Sequence, residues 1–411
     1  MNNENKEVAI VLGGTSPHVT LVNKLKERGY YTVLVDYLTN APAIAVADEY
    51  INESTLDKEK VLEIAKSKNA SLVISTCIDH ANSTCSYVAE KLGLTKPYDY
   101  QTSLNVTNKG LMKNIMKQNS IPTSSYIVVN SVDEIAWEKV SFPAVVKPVD
   151  GNSSKGVHRA DTKEEVIKYV DEDIKMSRAK QAIVEGFNEG FEIQVDCIAH
   201  ENGAHVLMTK QKKKIEKGTN IVLQSTGSII PAMLTEELKK QAEDIANKIA
   251  IGFGLKNTPF FYQAIVKKDG ISVLEFAPRI GGGLSTYLIK LITGVDILDA
   301  AIDSYVNKKI SFNKKENTKI YSTNLIYMNA GTFDHVEGFE QLKEDGTIKE
   351  FFVMKEKGTE IDSDMRSGNR VAAFLVEADD IETINETEKE VVNKIKIIDS
   401  TGNDAMNRSV Y

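Results

Sequence analysis

The sequence predicts an α/β protein that gives way, part-way along the chain, to an α+β arrangement, and three observations support this. The first 75 residues alternate short apolar runs with helix-period segments, the pattern of a parallel sheet with crossover helices. From residue 142 onward, apolar runs are joined instead by glycine- and serine-bearing turns, as in antiparallel hairpins. A chain of 411 residues, 42% hydrophobic, is long enough to bury a core and to divide into two or three domains.

The parallel part begins with a strand over 8–12, an amphipathic helix over 19–28, a strand over 32–36, a helix over 58–67 and a strand over 71–75. Gly13-Gly14-Thr15-Ser16 after the first strand and Asp36 at the end of the second suggest a dinucleotide fold, in which an acid contacts ribose. The remaining glycines of GxGxxG are missing, so a tight strand-to-helix turn is the better reading. Asp79 and His80 follow the strand at 71–75, at the carboxyl end where open α/β sheets place ligands. Asn108-Lys109-Gly110-Leu111-Met112-Lys113 heads a further helix, which Pro122 ends.

The next segments carry nucleotide chemistry. Residues 142–149 form a short apolar strand in which Lys147 is held extended by Pro148. The loop Asp150-Gly151-Asn152-Ser153-Ser154-Lys155-Gly156-Val157 then turns back. Its small residues let backbone N–H groups and hydroxyls close round phosphate oxygens, while Lys109 and Lys147 add positive charge. Strands follow at 182–188 and 190–196. In the second, Phe191, Ile193 and Val195 alternate with Glu192, Gln194 and Asp196, so one of those acids can face a ribose. The segment 210–217 holds five lysines in eight residues and precedes Gly218. It reads either as a solvated charge run or as a mobile lid over phosphates or an acidic substrate.

The densest functional signal is Val273-Leu274-Glu275-Phe276-Ala277-Pro278-Arg279-Ile280-Gly281-Gly282-Gly283. If the strand persists, Glu275, Ala277 and Arg279 point into one cleft, where the carboxylate can hold a divalent cation and the guanidinium an anion. From about residue 316 the chain mixes strands over 319–328 and 371–376 with a helix over 381–394, with Gly331 and Gly338 at turns and no catalytic constellation.

Taken in order, these segments resemble the ATP-grasp superfamily, and most closely its carboxylate–amine ligases, a group that includes L-amino-acid ligases, biotin carboxylases and carbamoyl phosphate synthetases. The resemblance implies a Rossmann-like pre-ATP-grasp domain over 1–107, a two-lobed ATP-grasp domain over 108–315 with its glycine-rich loop at 150–157, and a small cap-like C-terminal domain over 316–411. It implies that Lys109 and Lys147 contact phosphates, that Ser153, Ser154 and Gly156 lie in the loop, that Glu185, Gly186, Phe187 and Asn188 border the adenine, and that Glu192 binds the ribose. Arg279 and Lys147 become the catalytic cations. Gln263, twelve residues before Glu275, stands where the family most often has glutamate, and Ala277 where it has asparagine. The implied metal ligands are therefore Gln263 and Glu275, with magnesium as the ion and manganese as the alternative.

The resulting expectation is an ATP-dependent ligase that activates a small carboxylate as its acyl phosphate and joins it to an amine, an amino acid or an amino sugar. Gly281, Gly282, Gly283 and Ser285 are the expected carboxylate site. Two other readings stand beside it: a bicarbonate-dependent carboxylase or carbamoyl-forming enzyme, and a nucleotide-binding regulator that has lost catalysis. The partners are small molecules, and the sequence leaves a homodimer open. A net charge of −8 argues against nucleic acid, and no apolar run is long enough to span a bilayer. The polar start, Met1 to Glu7, runs straight into a strand, so a cytoplasmic location without a signal peptide is expected. Cys77, Cys85 and Cys197 form no CxxC pair and read as reduced packing residues.

Overall fold

A computed structural model describes residues 6–151, 155–217, 220–363 and 369–411. The chain forms two compact units, one of residues 1–190, 195–207 and 236–315, the other of 191–194, 208–235 and 316–411.

The first unit opens with a four-stranded parallel sheet in the order Glu49–Asn52, Tyr31–Asp36, Val8–Leu12, Leu72–Ile74. Ile10, Val11 and Leu12 are fully buried, as expected when helices cover both faces of a parallel sheet. Helix Lys58–Ser67 starts where the Asp57 side chain accepts from the Lys60 amide. Asp36 accepts from the Gly14 amide at 2.6 Å and the Leu38 amide at 2.8 Å. Both of its oxygens therefore serve turns, in keeping with the tight-turn reading of Gly13-Gly14.

Next comes an antiparallel sheet in the order Tyr126–Val129, Ala182–Gly186, Ala144–Pro148, His158–Ala160. Side chains alternate across it. Ala144, Val146, Ala182 and Val184 pack with Val166 and Val170 of helix Lys163–Met176 in a common core. That leaves Lys147 and Glu185 on the opposite face, in diagonal register because Val145 lies across from Glu185 and Lys147 from Ile183.

The remainder of the first unit holds helix Glu236–Gly252, the antiparallel pair Thr258–Lys267 and Gly270–Ala277, and helices Ser285–Thr293 and Ile297–Tyr305. Here the sequence expectation needs correction. The strand does not persist to Arg279 but stops at Ala277, because Pro278 has no amide to continue the ladder. The Arg279 amide turns back onto the Ala277 carbonyl at 2.9 Å, so Arg279 leaves the strand face that Glu275 occupies.

In the second unit, strands Asn220–Ile230, Ile320–Tyr327, Arg370–Ala378 and Glu350–Val353 pair antiparallel in that order. Phe374, Phe339, Ile326, Val376 and Ile384 form its core, Ile384 coming from helix Ile381–Lys394. Residues 210–217 are the second half of strand Gly203–Lys217, not a lid loop, and pair with Asn220–Ile230. Strand alternation separates the lysines: Lys212 and Lys214 share one face, where both meet Glu192, while Lys213 on the other reaches Glu388 at 2.8 Å and Asn324 at 2.6 Å. Among the described residues no helix is long and apolar enough to cross a membrane, and the three cysteines are free.

Candidate active site

Helix Lys109–Gln118 begins at Asn108, whose side chain caps the Leu111 amide at 3.1 Å. The Lys109 amide donates to the Val149 carbonyl at 2.8 Å and its Nζ donates to the Gly151 carbonyl, which ties the helix start to the first residues of the glycine-rich loop. Gly156 closes that loop with φ +70°. A Cβ there would sit 2.7 Å from Asp173 Oδ1 and 2.9 Å from Pro148, so only glycine fits without displacing a neighbour. Ser153 and Ser154 lie outside the described residues.

Four residues after Lys109, one helical turn on, Lys113 is fully buried. Its Nζ donates to Thr123 Oγ1 at 2.6 Å and Ser124 Oγ at 3.1 Å, and lies 3.1 Å from Glu185 Oε2. Ser124 Oγ donates to the same Oε2 at 2.7 Å. Lys147 Nζ stands 2.7 Å from the other oxygen, Oε1, as an ion pair. Burial would push the Glu185 carboxyl up, but the charges of Lys147 and Lys113 outweigh it and hold the group at about 2. Burial pulls Lys113 and Lys109 below the usual lysine range, against the opposing pull of Glu185 on the first and Glu275 on the second.

Arg279 forms a two-point ion pair with Asp79, Nε to Oδ1 at 2.5 Å and a terminal nitrogen to Oδ2 at 2.7 Å. Asp79 opens helix Asp79–Leu92 at the carboxyl end of the parallel sheet. The guanidinium also donates to the Ile280 carbonyl at 2.9 Å and lies 5.1 Å from the centre of the Phe261 ring. Burial opposes the charges of this pair, yet Arg279 is pushed up and Asp79 down, each by the other.

Gln263 and Glu275 are direct cross-strand partners, so their side chains emerge on one face, beside a bulge after Gln263. An amide and a carboxylate oxygen suit a hard cation, and among the described residues no group of three or more His, Cys, Asp or Glu could hold a metal. The pair therefore fits magnesium that retains water and phosphate oxygens, and it fits a thiol- or imidazole-loving metal poorly. Gly281–Gly283 turn into the amino end of helix Ser285–Thr293, with Ser285 Oγ donating to the Gly282 carbonyl at 2.8 Å. Backbone N–H groups at such an end favour an anion.

Gly186 and Phe187 donate their amides to the carbonyls of Ser125 and Pro143, both at 3.0 Å, and the Asn188 amide group donates to Ser272 Oγ at 3.3 Å. In the second unit, burial would raise Glu192, but Lys212 and Lys214 outweigh it and keep the carboxyl depressed.

The structure thus brings Lys109, Lys147, Glu185, Glu275, Gln263 and Arg279 into one unit, with the charge of Glu275 acting on both Lys109 and Arg279. Sequence reasoning missed Lys113 and Ser124 and gave Asp79 no partner. The i, i+4 spacing of Lys109 and Lys113 was the signal for the first.

The ATP-grasp domain family matches residues 140–287, which include the glycine-rich loop, Lys147, Glu185 and the Gln263–Glu275 pair. Those residues form an ATP-grasp domain. A second family, the L-amino acid ligase C-terminal domain 2, matches residues 324–399. The chain is 26% identical over 275 residues to the formate-dependent phosphoribosylglycinamide formyltransferase of Wolinella succinogenes, covering 66% of this chain and 69% of that protein. In fold it is similar to an L-amino acid ligase from Bacillus licheniformis, with a TM-score of 0.81 at 21% identity over 97% of this chain and 100% of the other. A phosphoribosylglycinamide synthetase from Anaerococcus prevotii gives a TM-score of 0.75 at 20% identity, over 96% and 100%. The expected ATP-grasp fold, flanked by an amino-terminal α/β domain and a C-terminal domain, holds.

Proposed function

We propose that this ATP-grasp protein is an ATP- and magnesium-dependent carboxylate–amine ligase releasing ADP and phosphate, with the roles of its residues as follows. The observation that carries the reading is the concentration of Lys109, Lys113, Lys147 and Arg279 in one unit, all four drawn into buried or half-buried positions beside the carboxylates Glu185, Glu275 and Asp79. Several ammonium and guanidinium groups gathered at low dielectric can hold a polyphosphate and offset charge on a phosphoryl group in transfer.

Lys109 and Lys147 bind the phosphates beneath the 150–157 loop, and Glu185 to Asn188 border the adenine. Gln263 and Glu275 would hold magnesium, which when bound would supply charge to offset that of the phosphoryl group. The glycine turn 281–283 with the Ser285 helix end receives the substrate carboxylate, whose oxygen attacks the γ-phosphorus while ADP departs. Arg279 steadies the transferred group. The acyl phosphate has the leaving group that a bare carboxylate lacks, so an amine can displace phosphate and form the amide. The amine is an amino acid or an amino sugar, the site is cytoplasmic, and no nucleic acid takes part.

The test is a screen of paired small carboxylates and amines for release of ADP. The reading requires ADP formation that depends on both partners and on magnesium. Release of AMP and pyrophosphate, or ADP formation driven by bicarbonate alone, would overturn it.

A further inference from the structure

Lys113 lies on the buried face of its helix beside Met112 and Met116, and its side chain has no exposure at all. A buried ammonium costs several kcal/mol of desolvation before any pairing, and replacing a buried ion pair by apolar residues of similar volume is often neutral or stabilising. Packing alone therefore does not require a lysine here. Its contacts are directional: with Ser124 it occupies Glu185 Oε2 and leaves Oε1 turned toward Lys147 at 2.7 Å. One oxygen of the carboxylate faces the interior and the other faces the site.

We propose that Lys113 is a positioning residue that acts through Glu185 on Lys147, fixing where the Lys147 ammonium stands and keeping Glu185 from neutralising it. Were Glu185 shared by Lys147 alone, the two charges would cancel and the ammonium would be drawn toward the carboxylate, away from an incoming phosphate. With Lys113 satisfying half of Glu185, Lys147 retains net attraction for a polyphosphate. This inference rests on the reading of Lys147 as a phosphate ligand.

The experiment is a double-mutant cycle on the full-length protein, with affinity for a non-hydrolysable ATP analogue measured by titration calorimetry and KM and kcat measured alongside. Lys113→Met is expected to weaken analogue binding about tenfold and to raise KM for ATP with a smaller change in kcat. Lys113→Arg is expected to restore most of the affinity. In a Lys147→Met background, Lys113→Met is expected to have no further effect, because its action runs through the missing ammonium. Additive losses would mean a merely structural role and overturn the proposal, as would wild-type affinity in Lys113→Met. Should Lys113→Met fail to fold, Ser124→Ala takes its place in the same cycle, with an expected loss of about threefold that also vanishes without Lys147. If Lys147→Met itself binds the analogue normally, the phosphate assignment fails; if only the Lys113 arm is silent, that assignment stands and this inference alone falls.

Discussion

Strands Ala182–Gly186 and Arg370–Ala378 both lie between two antiparallel neighbours, yet they spend their second face differently. The first packs Ala182 and Val184 against a helix and turns Glu185 into a cluster with two ammonium groups, one of them fully buried. The second buries Phe374 against Phe339, and its charges stay at the rim, where Glu377 meets Lys349 at 3.2 Å with both side chains partly exposed. Rim pairs of that kind contribute little. A buried carboxylate between two lysines is costly to assemble, and the difference marks the first strand as shaped by chemistry and the second by packing.

The largest effect that can break this comparison is in the packed strand. Phe374→Ala should lower unfolding free energy by about 3–5 kcal/mol, read from denaturant titration. A loss below about 1 kcal/mol would show that this strand is not held by its core. Next comes the proposed metal pair, Gln263 and Glu275. Glu275→Gln should reduce kcat/KM by about 100-fold or more while the unfolding midpoint stays within the range of surface substitutions. Normal activity in that variant would remove Glu275 from the site. A smaller effect sharpens the picture under the glycine-rich loop, where Asp173 is fully buried with neither oxygen hydrogen-bonded. That burial, with the charge of Glu172 behind it, pushes the Asp173 carboxyl up to about 7. A carboxyl raised on folding contributes stability that is complete only below its ordinary value and is lost as pH rises through about 7. Asp173→Asn should therefore gain on the wild type in melting temperature as pH is raised from acid to pH 8. An equal difference at both ends would mean that Asp173 is already paired when charged.

Much of the architecture was legible because it is local. Helix Lys58–Ser67 announces itself by a capping aspartate and a periodic apolar face, and helix Ile381–Lys394 does the same behind Asp380. The pairing of Gln263 with Glu275 was implied by the resemblance, and the hairpin makes the two residues cross-strand partners. What escaped depends on contacts far apart in sequence or on where a strand stops. Pro278 ends the strand and sends Arg279 to Asp79, 200 residues earlier. The lysine run at 210–217 looked like a loop because charge suggested solvent. Alternation instead gives each face a buried or half-buried carboxylate, Glu192 or Glu388. Lys113 carries no sign in the sequence that its partner lies in a strand 72 positions on, beyond its place one turn after Lys109.

The central claim is that this cluster of lysines, Arg279 and the Gln263–Glu275 pair directs a substrate carboxylate at the γ-phosphorus of ATP. It is tested most directly by running the reaction with the substrate carboxylate labelled with oxygen-18 and analysing the phosphate released. Attack by the carboxylate predicts ADP and inorganic phosphate carrying one labelled oxygen, because the acyl–oxygen bond breaks when the amine enters. Unlabelled phosphate, or AMP with pyrophosphate, would contradict the account even if ATP bound where these residues place it.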